Sequence, residues 1–368
     1  MSGSVEIIAR QYELEADRVL TICNACRYCE GLCATFKAMT EHRTFLSSDL
    51  SHLANLCHNC TACLPSCQYA APHEFGVNVP TALTNLRLSS YERYAWPPAL
   101  GRVYRNNGIF LTALIGLVLF AWLWGGALFV EPGELLAESV VQGNFYAVVS
   151  HQVMMTMGLV TGGFAFFVLV MSARRCWHEI GTQKMTWKAI SGALVSSATL
   201  ENLGGGHGQG CEEVDGVLTG RRRLFHHFTM YGFLLCFAAT CVATFYDYAL
   251  GLPAPYAFFS LPVILGTVGG IGLLIGPVGL YLLKRKSAPE VTTAAQKSLD
   301  VPFLAALFLV SATGLLLLAF RSTNAMPILL LIHLGFVFGF FIALPYTKFV
   351  HGLYRFLALV EYSKSRAN

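Results

Sequence analysis

Charged residues are scarce in this chain: Asp, Glu, Lys and Arg make up only 12% of its 368 residues, whereas 55% are hydrophobic. Soluble domains carry about 25% charged residues. The composition therefore argues against an ordinary soluble enzyme, a disordered chain and a nucleic-acid-binding protein. The net charge of +4 is small, so the placement of the charges matters more than their sum.

Three sequence signatures are also absent. No Rossmann fingerprint is present, so we expect no bound nicotinamide and no tightly held dinucleotide flavin. No Cys-x-x-Cys-His occurs, which excludes covalent attachment of a c-type haem. We expect no signal peptide, because the first apolar run of sufficient length begins near residue 108.

The chain divides into a polar first part and an apolar second part. The second part contains six apolar runs, each close to the roughly 20 residues that cross ~30 Å of hydrocarbon. These runs cover about 108–130, 145–171, 225–250, 256–283, 301–320 and 327–350. Lipid-exposed backbone must satisfy its own hydrogen bonds, which favours helices. We therefore predict an all-α protein, with a cytoplasmic domain over 1–106 and a six-span membrane domain over 107–368.

The basic residues predict the orientation of the spans. Six spans place both termini on one side of the membrane, and nearly all Lys and Arg near the span ends fall on that side. The opposite loops contain one basic residue, Arg321; they are 131–144, 251–255 and 321–326. By the positive-inside rule, both termini and a long loop over 174–223 are cytoplasmic, where thiols stay reduced.

Eight of the 12 cysteines form two copies of the motif Cys-x2-Cys-x2-Cys-x3-Cys. In two-cluster ferredoxins, three cysteines of each copy bind one cluster and the fourth binds the other cluster. We therefore predict two [4Fe–4S] clusters, one on Cys23, Cys26, Cys29 and Cys67, and one on Cys57, Cys60, Cys63 and Cys33. Ala34 and Gln68 replace the proline that usually follows the fourth cysteine, which removes no ligand. Zinc would use pairs of cysteines and leave the third of each triplet idle.

The segment between the two motifs predicts the type of ferredoxin module. Residues 36–56 show no β-branched alternation and indicate a helix. An all-helical, ferredoxin-like domain with two clusters is therefore favoured over the small β-sheet type.

Five histidines lie near the ends of the predicted spans. His151 and His333 lie at the outer side, and His226, His227 and His351 lie at the inner side. We predict that pairs at equal depth bind b-type haem, His151 with His333 and His226 or His227 with His351, with a weak preference for His226. His333 and His351 are 18 residues apart, which places them on one face of a single helix, about 27 Å apart.

Two alternatives to this haem assignment remain open. The histidines could be interfacial anchors or hydrogen-bonded helix ends, or the domain could bind one haem instead of two. Pro345 could bend the helix between His333 and His351.

Several segments resemble tricarballylate-utilization protein B, also called citrate-utilization protein B. The likeness covers nearly the whole chain and also extends to the C-terminal half of a fused flavohaem protein of cobalamin synthesis. The segments that carry it are the cysteine motifs Cys23–Cys33 and Cys57–Ala70, Ala71–Phe75, the loop Leu203–Cys211, and Phe225–Thr229 with Tyr231–Phe233.

The resemblance implies an electron-transfer protein of the bacterial inner membrane. In that family, a cytoplasmic FAD-dependent dehydrogenase oxidises tricarballylate to cis-aconitate. Its reduced flavin is then reoxidised through two iron–sulfur clusters and haem, and the electrons reach the membrane quinone. The resemblance therefore implies two partners for this chain, the flavoprotein and the quinone.

Three other functions stay open at this point. The chain could serve a different flavoprotein, such as one of the cobalamin pathway, or it could be a membrane-anchored cluster carrier without haem. A transporter with a redox-sensing head is the third, although no inverted repeats or paired broken helices are visible.

The orientation can be tested with reporter fusions. A fusion after Lys286 should report a cytoplasmic position, and a fusion within 131–144 should report an external one, because of the Lys and Arg bias. The reverse pattern would contradict the topology, and with it the pairing of histidines by depth.

Overall fold

The structure is a computed structural model that describes residues 2–129, 144–182, 184–204, 211–212, 218–286 and 289–365. Nearly all of the predicted external loop 131–144 lies outside these residues. So does most of the glycine-rich part of the segment Leu203–Cys211.

Four helices form the N-terminal part: α1 (Ser2–Cys26), α2 (Ala34–Met39), α3 (Ser47–Leu56) and α4 (Val79–Tyr94). The segment predicted as one helix over 36–56 is thus two helices. The start of α4 is defined by Asn78, whose side chain accepts a hydrogen bond from the Thr81 amide, and by Pro80 in the first turn. Leu20, Leu53 and Leu83 are fully buried among these helices.

The second part is a bundle of long apolar helices. It contains α5 (Asn107–Phe129), α6 (His151–Ile180), α7 (Trp187–Thr199), α8 (Arg221–Leu250), α9 (Leu261–Lys286), α10 (Ala294–Ala319), α11 (Met326–Ala343) and α12 (Val350–Ser365). Six of them, α5, α6 and α8–α11, are long and apolar enough to cross a membrane. Within the described residues, the only strands are the two-residue pair Cys211–Glu212 and Leu218–Thr219. The prediction of an all-α fold with six membrane-length helices is therefore confirmed.

The sixth apolar run is not one continuous helix, so the prediction that His333 and His351 share a helix face is wrong. Helix α11 ends at Ala343, a 3-10 turn covers Leu344–Tyr346, and α12 begins only at Val350. Pro345 explains the break, because proline has no amide hydrogen and its ring clashes with the preceding helical turn.

The predicted loop 174–223 contains an amphipathic stretch in its sequence, Trp187 to Leu203, and the structure places helical segments within the loop. Helix α6 continues to Ile180, and α7 occupies Trp187–Thr199 within the segment. The buried face of α7 consists of Ala189 and Ala193, and α7 packs on α12.

The N-terminal part packs directly on α12. Leu53 and Leu83 belong to the same buried cluster as Tyr354 and Leu357 of α12. The His52 ring also hydrogen-bonds the carbonyl oxygen of Ala358, with Nε2 3.0 Å from it. This shared core holds the N-terminal helices, including α1 with Cys23 and Cys26, against α12.

Helices α8 and α9 approach each other so closely at Gly232 and Gly269 that neither position has space for a side chain. A Cβ atom built on Gly232 of α8 would lie 2.9 Å from the carbonyl oxygen of Gly269 on α9, and one built on Gly269 would lie 2.7 Å from the carbonyl oxygen of Gly232. Small residues at such contacts are typical of helix packing in membranes, where close van der Waals contact drives association. The close packing holds α8, which carries His226 and His227, against α9.

We expect Gly269→Ala to destabilise the protein by about 1–3 kcal/mol, because the new methyl group meets rigid backbone on α8. Gly266→Ala on the same helix is the matched control, since its Cβ would meet only the Ala239 methyl group at an ordinary 3.7 Å. Thermal unfolding in detergent measures both effects. Equal unfolding temperatures for the two variants would contradict the close-packing argument.

Candidate functional site

The first group of thiols combines the first cysteine triplet with Cys67. Helix α1 ends at Cys26, because Arg27 adopts a left-handed conformation with φ of 55° and turns the chain. Burial, together with the neighbouring thiols of Cys67, Cys29 and Cys26, raises the pKa of Cys23 to about 12. The side chain of Gln68 donates a hydrogen bond to the Cys26 Sγ at 3.7 Å, which holds the Cys67 loop beside α1.

The second group of thiols combines the second cysteine triplet with Cys33. One cavity is lined by Cys33, Cys57, Cys60 and Cys63 together. Burial raises the pKa of Cys33 to about 12, and the thiols of Cys60 and Cys57 contribute in the same direction. Burial also raises the pKa of Cys63 well above that of a free thiol.

The two groups are the two crossed sets that the spacing predicts, with the fourth cysteine of each motif beside the other triplet. Burial disfavours ionisation of Cys23, Cys29, Cys33 and Cys63, and iron would supply the positive charge that makes thiolates stable there. No three Cys, His, Asp or Glu side chains of the described residues converge on a single metal ion. The four thiolates of a [4Fe–4S] cluster bind four different irons, so the cysteines of each group need not converge on one ion. The donor set therefore fits [4Fe–4S] clusters, and the individual ligands stay predictions.

Two arginines of the second part hold the loop of the second thiol group. Arg222 of α8 donates from Nη1 to the carbonyl oxygen of Asn59 at 2.7 Å. Arg355 of α12 donates from Nη2 to the carbonyl oxygen of Cys57 at 2.9 Å. Sequence reasoning missed both contacts, since it treated Arg222 only as a topology signal and had no reason to select Arg355.

The inner histidines come together as the depth argument predicts. The ring centroids of His226 on α8 and His351 on α12 are 6.0 Å apart. Two imidazoles on opposite sides of one metal ion have centroids roughly 6 Å apart, since each nitrogen lies about 2 Å from the metal. The buried Nδ1 of His226 and the buried Nε2 of His227 both lack a hydrogen-bond partner, but the His226 ring faces His351, whereas the His227 ring packs against Tyr231 at 5.7 Å. The pair fits the axial ligands of one haem, and the geometry favours His226 over His227.

A further histidine, His58, lies between the second thiol group and the inner histidine pair. Its Nδ1 donates to the carbonyl oxygen of Leu56 at 2.8 Å, and its ring interacts electrostatically with Arg355 and His226. The sequence places His58 directly after Cys57 in the motif, but this position does not reveal that His226 is its neighbour in the fold.

The outer histidines are held by other partners. The Nε2 atom of His151 lies 2.7 Å from the Asp247 carboxylate, and the rings of Tyr146 and Tyr248 flank it. The Nδ1 atom of His333 lies 3.1 Å from the Thr313 hydroxyl. A haem on His151 through Nε2 would have to replace the bond to Asp247. The pairing of His151 with His333, and with it the second haem, stays a prediction.

Comparisons with known proteins agree with this arrangement. A family model described as Citrate utilization protein B matches residues 101–368. A second, described as Citrate utilization protein B Fer4-like domain, matches residues 16–93. The chain belongs to the citrate utilization protein B family. A Citrate utilization protein B of Escherichia coli is 48% identical over 358 residues, which cover 97% of this chain and 93% of that protein. No solved structure matches the chain.

The family assignment supports an iron–sulfur role in electron transfer. The Fer4-like match over 16–93 includes all eight cysteines of the two thiol groups. As a member of the citrate utilization protein B family, the chain thus combines an iron–sulfur type of domain with a bundle of membrane-length helices.

Cys33→Ser should lose the cluster on Cys57, Cys60 and Cys63, because Cys33 lies beside the second triplet. About four of the eight irons and acid-labile sulfides should disappear, as iron analysis and electron paramagnetic resonance can measure. Cys241→Ser, at an exposed cysteine outside the motifs, should keep all of them. Selective loss of the cluster on Cys23, Cys26 and Cys29 would contradict the crossed assignment.

Proposed function

We propose that the chain transfers electrons from the reduced FAD of a cytoplasmic dehydrogenase to the quinone of the bacterial inner membrane. Two [4Fe–4S] clusters and b-type haem, when bound, supply one-electron carriers, which a two-electron flavin needs if it is to be reoxidised stepwise. The partner that we propose is a flavoprotein that resembles tricarballylate dehydrogenase. Both termini and the N-terminal domain then face the cytoplasm, where that partner is located.

One observation carries the proposal: the two thiol groups and the inner histidine pair form a continuous series. The Cys63 thiol interacts electrostatically with Cys29 of the first group, so the two thiol groups adjoin. His58 then connects the second group to His226, whose ring faces His351. Neighbouring carriers in such a series suit electron transfer, and a purely structural cysteine cluster would not need the histidine pair.

The first thiol group, at the start of the series, is accessible to a partner. Arg27, Tyr28 and Glu30 of the first motif are exposed, and 75% of the Tyr28 surface is accessible. The second thiol group, in the middle of the series, is held in place by Arg222 and Arg355, which bind its backbone. In this proposal, electrons enter at the exposed first group and leave to the quinone from the second group or from the inner histidine pair.

The function can be tested on the chain copurified with its flavoprotein from native membranes. Tricarballylate should reduce the clusters and then the haem, and an added quinone should reoxidise both, as absorbance spectra can follow. Reduced clusters without any haem signal would instead support a haem-free cluster carrier. Reduction only by another flavoprotein's substrate would show that the dehydrogenase is a different one.

His226→Ala and His351→Ala should each remove the same haem signal, because both residues would hold the same haem iron in the proposed assignment. His227→Ala is the matched control at the adjacent position and should keep the full signal, since its ring packs against Tyr231. Haem absorbance per protein measures the loss, and iron–sulfur content should not change. Full haem in all three variants would contradict the assignment of the inner pair.

A further inference from the structure

A cleft of about 850 Å³ lies between the N-terminal helices and α7. Cys33 and Lys37 line one wall, and Lys188, Val195 and Thr199 of α7 line the other. Pockets for small organic ligands have volumes of about 300–1,000 Å³. Because Cys33 belongs to the second thiol group, a molecule in the cleft would contact the edge of that group.

Helix α7 presents a different surface on each of three sides. Ala189 and Ala193 are fully buried, whereas Val195 lines the cleft and has 63% of its surface exposed. Trp187 and Leu194 lie on a third side, where 81% and 60% of their surfaces are exposed. This arrangement follows from the 100° rotation per residue of an α-helix.

In the predicted orientation, the exposed apolar side of α7 lies at the depth of the cytoplasmic surface of the membrane. Tyr231, in the third turn of the membrane-length helix α8, donates its hydroxyl to the carbonyl oxygen of Ala198 at the end of α7. Tryptophan and large apolar side chains at this depth contact the lipid interface. The cleft is therefore bordered by a redox group on one wall and by a helix in contact with lipid on the other.

We propose that this cleft binds the ring of the membrane quinone that accepts the electrons. The inference rests on the proposed function, which names quinone as the acceptor but not its site. Leu32 and Val195 supply apolar surface for the ring, and the ammonium groups of Lys37 and Lys188 supply donors for its two carbonyl oxygens. The quinone takes two electrons, which the partner's reduced flavin loses, and two protons from cytoplasmic water, and it leaves as quinol.

An anionic phospholipid headgroup is the competing occupant, since Lys37, Lys188 and Arg223 all line the cleft. Two features favour the quinone. The carboxylate of Glu201 also lines the cleft and would repel a phosphate. The guanidinium of Arg223 is already engaged, because its Nε and Nη2 donate to the carbonyl oxygen of Thr199 at 3.1 and 2.7 Å.

The test uses the full chain in liposomes, reduced with dithionite and mixed with decylubiquinone. Val195→Trp projects a larger ring into the cleft and should slow reoxidation of the clusters by about tenfold or more, since a displaced reactant loses its productive geometry. Leu194→Trp, at the adjacent residue on the lipid side, is the matched control and should keep the wild-type rate. Iron content and reduction by dithionite should be the same in all three proteins.

A second measurement does not depend on electron transfer. A photoreactive azidoquinone should label peptides of α7 in the wild type and in Leu194→Trp, and excess decylubiquinone should prevent the labelling. Labelling should be lost in Val195→Trp. If that variant fails to incorporate iron, Ser191→Trp on the same wall replaces it.

Four results would overturn the proposal in distinguishable ways. Equal reoxidation and labelling in both variants would place the quinone elsewhere and leave the proposed function intact. A Val195→Trp variant that is reduced slowly by the flavoprotein, but reoxidised normally, would identify the cleft as the partner's docking site. Loss of bound anionic phospholipid with unchanged quinone kinetics would identify a lipid site. No reoxidation of the wild type by quinone would reject the proposed acceptor itself.

Discussion

The hydrogen bond from Arg355 to the carbonyl oxygen of Cys57 joins the two parts of the molecule, at the point where electrons would cross between them in the function that we propose. Arg355 is a buried cation, and burial lowers its pKa to about 10, so it remains charged at neutral pH. A buried charge without compensation is costly. The net negative charge of a cluster bound by four thiolates would compensate it. The same side chain lies beside His58 and His351, so it fixes the second thiol group relative to the inner histidines.

The remaining architecture keeps this junction rigid. Helix α12 carries both Arg355 and His351 and packs on the N-terminal helices through a shared buried core. Helix α8 carries both Arg222 and His226 and is held against α9 by glycine contacts that leave no space for a side chain. Each of the two helices therefore positions one arginine and one histidine. Electron transfer between carriers depends on distance, so such doubly anchored helices suit the function we propose.

Sequence reasoning succeeded where the signal is local or follows directly from length and composition. Runs of about 20 apolar residues predicted the six membrane-length helices, and the exact repetition of one cysteine motif predicted the two thiol groups. It failed where one residue interrupts a uniform pattern: Pro345 ends the helix that was expected to carry both His333 and His351. It indicated an amphipathic stretch over Trp187–Leu203, most of which is α7, but not that α7 packs on α12.

The sequence by itself determined the fold class, the number of long apolar helices and the position of the two cysteine motifs, because hydrophobic length and cysteine spacing act within one segment. Only the tertiary structure decided which histidine faces His351, which arginines hold Cys57 and Asn59, and that Asp247 engages His151. It also decided that Cys33 and Val195 line one cleft. These contacts join residues that are far apart in the chain, and no local pattern encodes the packing of one helix against another.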